Sequence, residues 1–193
     1  SGCTQGATIE VKKGIPLLSG LGGDSSDAAA VLRGLNQLWQ LGLSAEKLLE
    51  LARQLGSDVT FFLYGGTALL EGRGEIVTPL PPLPHHWVVL VRPPLVRLPG
   101  KTRQLYGSLG ATDYSDGQIT QRLVEALKAG REFTSSFMCN TFEKVAFAQF
   151  PGLATCREQM VKAGAADVRL AGSGPALFTL VKDQAQAEGL YSC

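Results

Sequence analysis

The pattern of apolar and polar residues at the start of the chain predicts a strand, a glycine-rich loop and a helix. Residues 7–12 alternate between apolar and polar side chains, as in a strand with one buried face. Three glycines then occur within four positions, and after them the apolar residues recur at helical spacing at Ala28, Ala29, Val31, Leu32, Leu35 and Leu38. We expect the Ser-Ser-Asp sequence at residues 25–27 to cap this helix.

A second helix and two more strands are predicted before residue 80. The helix begins at Ser44 and ends at Gly56, since an apolar face lies between a capping residue and a glycine stop. Residues 59–63 and 67–70 are rich in apolar, aromatic or β-branched side chains, and Gly65-Gly66 separates them. We interpret both segments as strands around a turn.

The second half of the chain also mixes helices and strands. Strands are predicted at residues 87–91, 168–171 and 177–181, and helices at residues 117–129, 140–147 and 152–163. Four prolines between Pro79 and Pro84 cannot continue a helix or a central strand, so we place a domain boundary there, between residues 1–80 and 81–193. A long surface loop inside one domain is the alternative.

Composition excludes several classes of partner. The 193 residues carry a net charge of +1, which gives no support to a broad nucleic-acid or anionic-membrane surface. No apolar run is long enough for a membrane span, so we expect a small-molecule substrate and neither nucleic acid nor membrane. The four cysteines form no Cys-x-x-Cys pair, as expected of a cytoplasmic protein without a zinc site. His85 and His86 have no acidic or cysteine partner at metal-binding spacing, so we interpret them as surface residues.

The order of strand, glycine-rich loop and helix start is typical of a phosphate site. Free N–H groups and the positive end of the helix dipole favour an anion there, and glycine lets a ligand approach the backbone. Two named motifs fail, because no Gly-Lys follows this loop and Ser25 stands where a dinucleotide site needs its third glycine. From the residues alone, a structural turn remains the alternative.

The loop resembles a specific family motif. Residues 16–29, PLLSGLGGDSSDAA, are similar to the P-x-x-x-G-L-G-x-S-S motif of the GHMP kinases. Three further stretches resemble other family segments in the right order: residues 56–75, 140–153 and 169–178. The resemblance implies an α+β fold of two domains, the first like ribosomal protein S5 and the second ferredoxin-like, with ATP between them. It also implies transfer of the γ-phosphate of ATP, with Mg²⁺, to a hydroxyl of a small molecule.

By this resemblance, the ATP-binding loop comprises Pro16, Leu17, Leu18, Ser19, Gly20, Leu21, Gly22, Gly23, Asp24, Ser25 and Ser26. Asp58 is the expected catalytic base, although an Asp after Gly-Ser is usually a turn residue. The second glycine loop, Gly172, Ser173 and Gly174, is expected to bind an anion or to support the first loop, unless it is only a turn.

Thr102 and Tyr106 occupy the region where one member of the family contacts a cytidine group. Stacking of Tyr106 on the cytosine is the functional interpretation, and packing of Tyr106 within a helix is the alternative. No metal-ligating residue is expected. Two other functions compete with this one. The protein could be another kinase of the family, of the phosphomevalonate or homoserine type, or a non-catalytic nucleotide-binding fragment.

The chain departs from the family pattern at two places. Asp24 stands where the family usually has glycine, and a carboxylate there would repel phosphate unless it turned away. We expect Asp24 to cap the helix instead. The family's early strand with a catalytic lysine has no counterpart ahead of Ala7, which leads us to expect an N-terminally truncated, incomplete first domain with little activity of its own.

Overall fold

The chain divides into two units, and the glycine-rich segment passes from one to the other. The first unit consists of Ser1–Leu17 and Gly22–Pro82, and the second of Leu18–Leu21 and Leu83–Cys193. The computed structural model describes residues 3–94 and 100–192. The assignment of residues 1–80 and 81–193 to the two domains of the family stays a prediction.

Three helices and a hairpin build the first unit: α1 (Gly23–Leu38), α2 (Ala45–Leu55), α3 (Val59–Tyr64), β1 (Thr67–Glu71) and β2 (Ile76–Leu80). As predicted, the Ser44 side chain caps α2 by accepting from the Lys47 N–H, and Gly56 ends it. The small core joins the three helices through Ala29, Ala52 and Val59. Strands β1 and β2 are antiparallel, with Thr67 opposite Leu80.

Two strand predictions in this unit are wrong. Residues 7–12 are exposed and have no strand partner in the part of the chain that the structure describes, so their alternation does not reflect a buried face. Residues 59–63 belong to helix α3, which buries Val59 and Thr60 and ends at Gly65 in a left-handed backbone conformation. A short apolar run fits either a buried strand or a helix turn, which is why periodicity misassigned it.

Strand β2 was not predicted, because its proline argued against a strand. Pro79 pairs opposite Ala68 in a sheet of two strands. Each strand of such a sheet has a free edge, so a residue without an N–H is tolerated there.

The second unit places helices against a three-stranded antiparallel sheet. The strand order is β3 (Trp87–Val91), β5 (Leu177–Val181) and β4 (Arg169–Leu170). Helix α8 (Gln184–Tyr191) contacts β3 and β5. The other helices are α4 (Lys101–Gly107), α5 (Gln118–Lys128), α6 (Phe142–Gln149) and α7 (Pro151–Lys162). All predicted elements of this half are present, within a few residues, whereas α4 and α8 were not predicted.

A larger apolar core stabilises the second unit. It comprises Leu105, Val145, Ala146, Phe150, Leu153, Met160, Ala165, Val168, Leu170 and Leu177. The α+β class is confirmed, since helices and antiparallel strands occur in both units. Among the described residues no helix could cross a membrane, and the longest, α1, has 16 residues.

Candidate active site

The first half of the glycine segment packs tightly against the second glycine loop within the second unit. Gly20 has a φ of 83°, and a Cβ at this position would lie 2.2 Å from the Ala171 carbonyl oxygen and 2.8 Å from the Gly174 nitrogen. A Cβ on Gly172 would lie 2.8 Å from the Gly20 oxygen. Only glycine fits at both positions, because the two backbones touch.

Backbone hydrogen bonds fix the shape of the second loop. The Ala171 N–H donates to the Ala176 oxygen at 2.8 Å, and the Gly174 N–H donates to the Ala171 oxygen at 2.7 Å. The Ala176 N–H donates to the Ser19 oxygen at 3.1 Å, which joins this loop to the first. In this arrangement the Gly174 N–H has a protein acceptor, and the second loop is hydrogen-bonded to the first glycine segment.

Asn140 and Glu143 hold the second loop from the N-terminal end of α6. The Asn140 amide donates to the carbonyl oxygens of Leu170 and Gly172 at 2.9 and 2.8 Å. A Glu143 carboxylate oxygen accepts from the Leu170 N–H at 3.0 Å. Sequence reasoning gave neither residue a role; the only signal was the similarity of residues 140–153 to a family segment.

Lys101 is a buried cation that sequence reasoning also missed. Its side chain is 6% exposed, and its Nζ donates to the carbonyl oxygens of Leu18 (3.3 Å), Ser173 (2.9 Å) and Gly174. Burial lowers the pKa of Lys101 to about 8. Lys101 therefore bonds to both glycine loops of the second unit.

In the first unit, helix α1 begins earlier than predicted. Gly22, with a φ of 68°, is the N-cap, and no side chain caps the helix. A Cβ on Gly22 would lie 2.7 Å from the Phe62 ring. Ser26 already lies inside the helix, with its N–H bonded to the Gly22 oxygen and its hydroxyl to the Gly23 oxygen. The prediction that residues 25–27 cap the helix is therefore wrong.

Asp24 is also not a cap, contrary to the prediction. It lies in the first turn of α1, where a negative charge is favourable, and its carboxylate pairs with Lys13. Lys13 also pairs with Asp27 at 2.5 Å. The two carboxylates raise the pKa of Lys13 through hydrogen bonds and charge attraction. Asp24 is thus partly neutralised beside the glycine segment.

Asp58 stands at the N-terminal end of α3 with an exposed side chain. It caps no helix N–H, and its carboxylate has no ion pair among residues 3–94 and 100–192. The turn that carries it is held by Thr60, whose hydroxyl lies 2.9 Å from the Ser57 oxygen and 2.6 Å from the Gly74 oxygen. An exposed carboxylate on a fixed turn is available to accept a proton.

Thr102 and Tyr106 lie on helix α4, directly after Lys101. The Thr102 hydroxyl is 3.1 Å from the Ser173 hydroxyl, next to the second glycine loop. Tyr106 is 57% exposed and packs edge-to-face on Phe142, with ring centroids 4.8 Å apart. Helix packing therefore accounts for one edge of Tyr106 and leaves much of the side chain accessible.

The comparisons with known proteins concern the family and the fold. Residues 1–66 match the family model described as the GHMP kinases N-terminal domain, and residues 120–193 match the GHMP kinases C-terminal model. A 4-diphosphocytidyl-2-C-methyl-D-erythritol kinase of Dehalococcoides mccartyi is 52% identical over 188 residues. An enzyme of the same name from Limosilactobacillus fermentum is 45% identical over 193 residues.

Those alignments cover 97% and 98% of this chain and 66% of each relative, so the chain spans just under two thirds of their length. A crystal structure of 4-(cytidine 5'-diphospho)-2C-methyl-D-erythritol kinase superposes with a TM-score of 0.73 at 37% identity, covering 94% of this chain and 65% of that one. Homoserine kinase from Cytophaga hutchinsonii shares the fold, with a TM-score of 0.69 at 23% identity over 92% of this chain and 61% of that one. The chain belongs to the GHMP kinase family, and its fold is the two-domain α+β fold of that family.

Proposed function

We propose that this protein is a kinase that transfers the γ-phosphate of ATP to the 2-hydroxyl of 4-diphosphocytidyl-2-C-methyl-D-erythritol, a step of the non-mevalonate route to isoprenoids. The relatives at 45% and 52% identity carry that name. The structural observation that carries the proposal is the uncapped start of α1 after the glycine segment. Among the described residues no side chain caps its first N–H groups, and such groups bind phosphate.

The glycine segment, Asp58, Thr102 and Tyr106 each have a role in this proposal. The backbone from Gly20 to Ser26 binds the phosphates of ATP, and Lys13 reduces their repulsion from Asp24. Asp58 accepts the proton of the substrate hydroxyl and orients its oxygen for in-line attack. Tyr106 stacks on the cytosine ring, with Thr102 beside it.

Mg²⁺ enters this proposal as a companion of ATP. Among the described residues, no group of three His, Cys, Asp or Glu side chains converges in a way that could hold a metal. Mg²⁺ in phosphoryl-transfer sites often uses only one or two carboxylates together with the phosphates, so a site without three converging side chains is compatible with it. Bound with ATP, the ion would neutralise charge on the transferred phosphoryl group.

Acceptor choice tests the proposal. The protein, expressed from its complete reading frame, is assayed for ADP release with 4-diphosphocytidyl-2-C-methyl-D-erythritol, homoserine and phosphomevalonate in parallel. We expect turnover with the cytidine compound alone. Preferential turnover with homoserine or phosphomevalonate would assign the protein to another branch of the family, and ATP binding without turnover on any acceptor would identify a nucleotide-binding protein.

A further inference from the structure

We propose that Lys101 is a positioning residue that fixes the geometry of both glycine loops and thereby sets the affinity for ATP. The inference rests on the proposed function in one respect only, the binding of ATP at the first loop. Its observation is independent: a buried ammonium group lies on three backbone carbonyl oxygens, from Leu18, Ser173 and Gly174.

The donor count of Lys101 matches its surroundings. A lysine ammonium has three N–H donors and no acceptor, and three carbonyl oxygens lie within reach. Residues 18–21 and 172–175, which face the ammonium, carry no ionisable side chain. Lys101 has no carboxylate partner among the residues that the structure describes. Its charge is therefore balanced by carbonyl dipoles alone, an arrangement that orients those carbonyls.

The orientation of these carbonyls decides where the loop's N–H groups point. A peptide unit is planar, so turning the Leu18 carbonyl toward Lys101 turns the Ser19 N–H the opposite way. The same holds for the peptide unit between Ser173 and Gly174, whereas the unit after Gly174 ends at Pro175, which has no N–H. Lys101 thus presets the backbone on which phosphate binding at Gly20 depends, without touching the nucleotide itself.

Protonation of Lys101 gives this role a signature that packing alone would not have. Burial lowers the pKa of Lys101 to about 8, below its ordinary value in an unfolded chain. Above that pH the amine donates only two hydrogen bonds, so one carbonyl loses its donor and the loops loosen. Over the same pH range the free energy of unfolding rises, because the loss of the buried charge on Lys101 removes a desolvation cost.

The test compares the unmodified protein with Lys101→Met and with Lys162→Met as a matched control. Lys162 is an exposed lysine at the end of α7. At pH 7, we expect the ATP dissociation constant to rise about tenfold or more in Lys101→Met and to stay unchanged in the control. Hydrogen exchange should become faster at the Gly174 and Ala176 amides of Lys101→Met, because both amides donate within the braced loops.

The pH arm separates positioning from stability. Between pH 7 and 9.5, we expect the ATP affinity of the unmodified protein to fall several-fold while its free energy of unfolding, as far as Lys101 determines it, rises. The ATP affinity of Lys101→Met should show no such fall. Equal ATP affinity in the two proteins at pH 7, or a pH profile shared by both, would overturn the inference. If Lys101→Met fails to fold, the pH profile of the unmodified protein decides alone, and constant affinity overturns the inference. If the unmodified protein does not bind ATP at all, the proposed function fails instead.

Discussion

Lys13 and Asp24 form an ion pair at the first turn of α1, immediately after the glycine segment. Asp24 carries a negative charge in the first turn of that helix, and Lys13 supplies a cation within reach of it. Because Lys13 also pairs with Asp27, one lysine partly compensates two carboxylates. The negative charge of Asp24 is thus compensated by a cation from the same unit.

Removing Lys13 should therefore weaken ATP binding more than removing Asp24 does. Lys13→Met leaves two carboxylates near the phosphates, so we expect a several-fold rise in the ATP dissociation constant that shrinks at high salt. The double variant Lys13→Met/Asp24→Asn should recover part of that loss. Titration calorimetry at two salt concentrations measures both effects, and equal affinities across all variants would show that the ion pair does not face the nucleotide.

A comparison of Asp24→Gly with Asp24→Ala distinguishes the ion pair from a helix cap. Since Asp24 caps no N–H group and is largely exposed, both Asp24→Gly and Asp24→Ala should leave the melting temperature nearly unchanged. A clear loss for Asp24→Ala alone would instead identify a cap, because glycine is a tolerable N-cap and alanine is not.

Asp58→Asn should lower kcat by about 100- to 10,000-fold, the usual range for a general base, while ATP affinity changes little. The carboxylate is exposed, and the Thr60 hydroxyl holds the turn by bonding to the carbonyl oxygens of Ser57 and Gly74, so the substitution should not disturb the fold. Asp116→Asn is a suitable control, since Asp116 is exposed and asparagine can still accept from the Gln118 N–H. Steady-state kinetics of both variants decide, and normal turnover in Asp58→Asn would leave Asp58 as a turn residue.

Two glycine substitutions should change stability in opposite directions. Gly20→Ala places a Cβ against backbone atoms at a φ of 83°, so we expect a loss of at least about 1–3 kcal/mol in the free energy of unfolding. Gly34 lies inside α1 with open space around its Cβ position, and Gly34→Ala should add roughly 0.5–1 kcal/mol. Denaturant unfolding measures both, and a tolerated Gly20→Ala would contradict the close approach of the two loops.

Tyr106→Ala should raise KM for the cytidine substrate about tenfold or more, because a stacked base is lost, whereas Tyr106→Phe keeps the ring and should have little effect. Tyr114, which is 59% exposed, provides the control Tyr114→Ala. The KM for ATP should change in none of the three. A large effect of Tyr106→Ala on thermal stability without a change in KM would assign Tyr106 to packing on Phe142.

Local pattern was sufficient for elements with strong periodicity and clear ends. Helix α2 was predicted from its cap at Ser44 to its stop at Gly56, and strand β5 was predicted with its actual bounds. Residues 59–63 were misassigned because a run of five apolar and β-branched residues has no distinctive period. Strand β2 was missed because its Pro79 argued against a strand. A proline is excluded only where a neighbouring strand needs its N–H, which is not the case at a free edge.

Some residues of the site could likewise be predicted from the sequence, and others could not. A motif with fixed spacing located the glycines that need a positive φ at residues 20 and 22. Lys101 could not be found from the sequence, because its acceptors are far away along the chain: Leu18 is 83 residues away, Ser173 72 and Gly174 73. Asp24 was assigned to the wrong partner for a related reason: a carboxylate near a helix start suits a cap, and only the fold brings Lys13 to it.

The most direct test of the central claim is phosphorus NMR of a mixture of the protein, ATP, Mg²⁺ and 4-diphosphocytidyl-2-C-methyl-D-erythritol. The account predicts that the γ-phosphate signal of ATP disappears as a new phosphomonoester signal of the cytidine compound grows, and that Asp58→Asn binds ATP but converts it far more slowly. Release of inorganic phosphate without a new phosphomonoester, or equally fast conversion by Asp58→Asn, would contradict it.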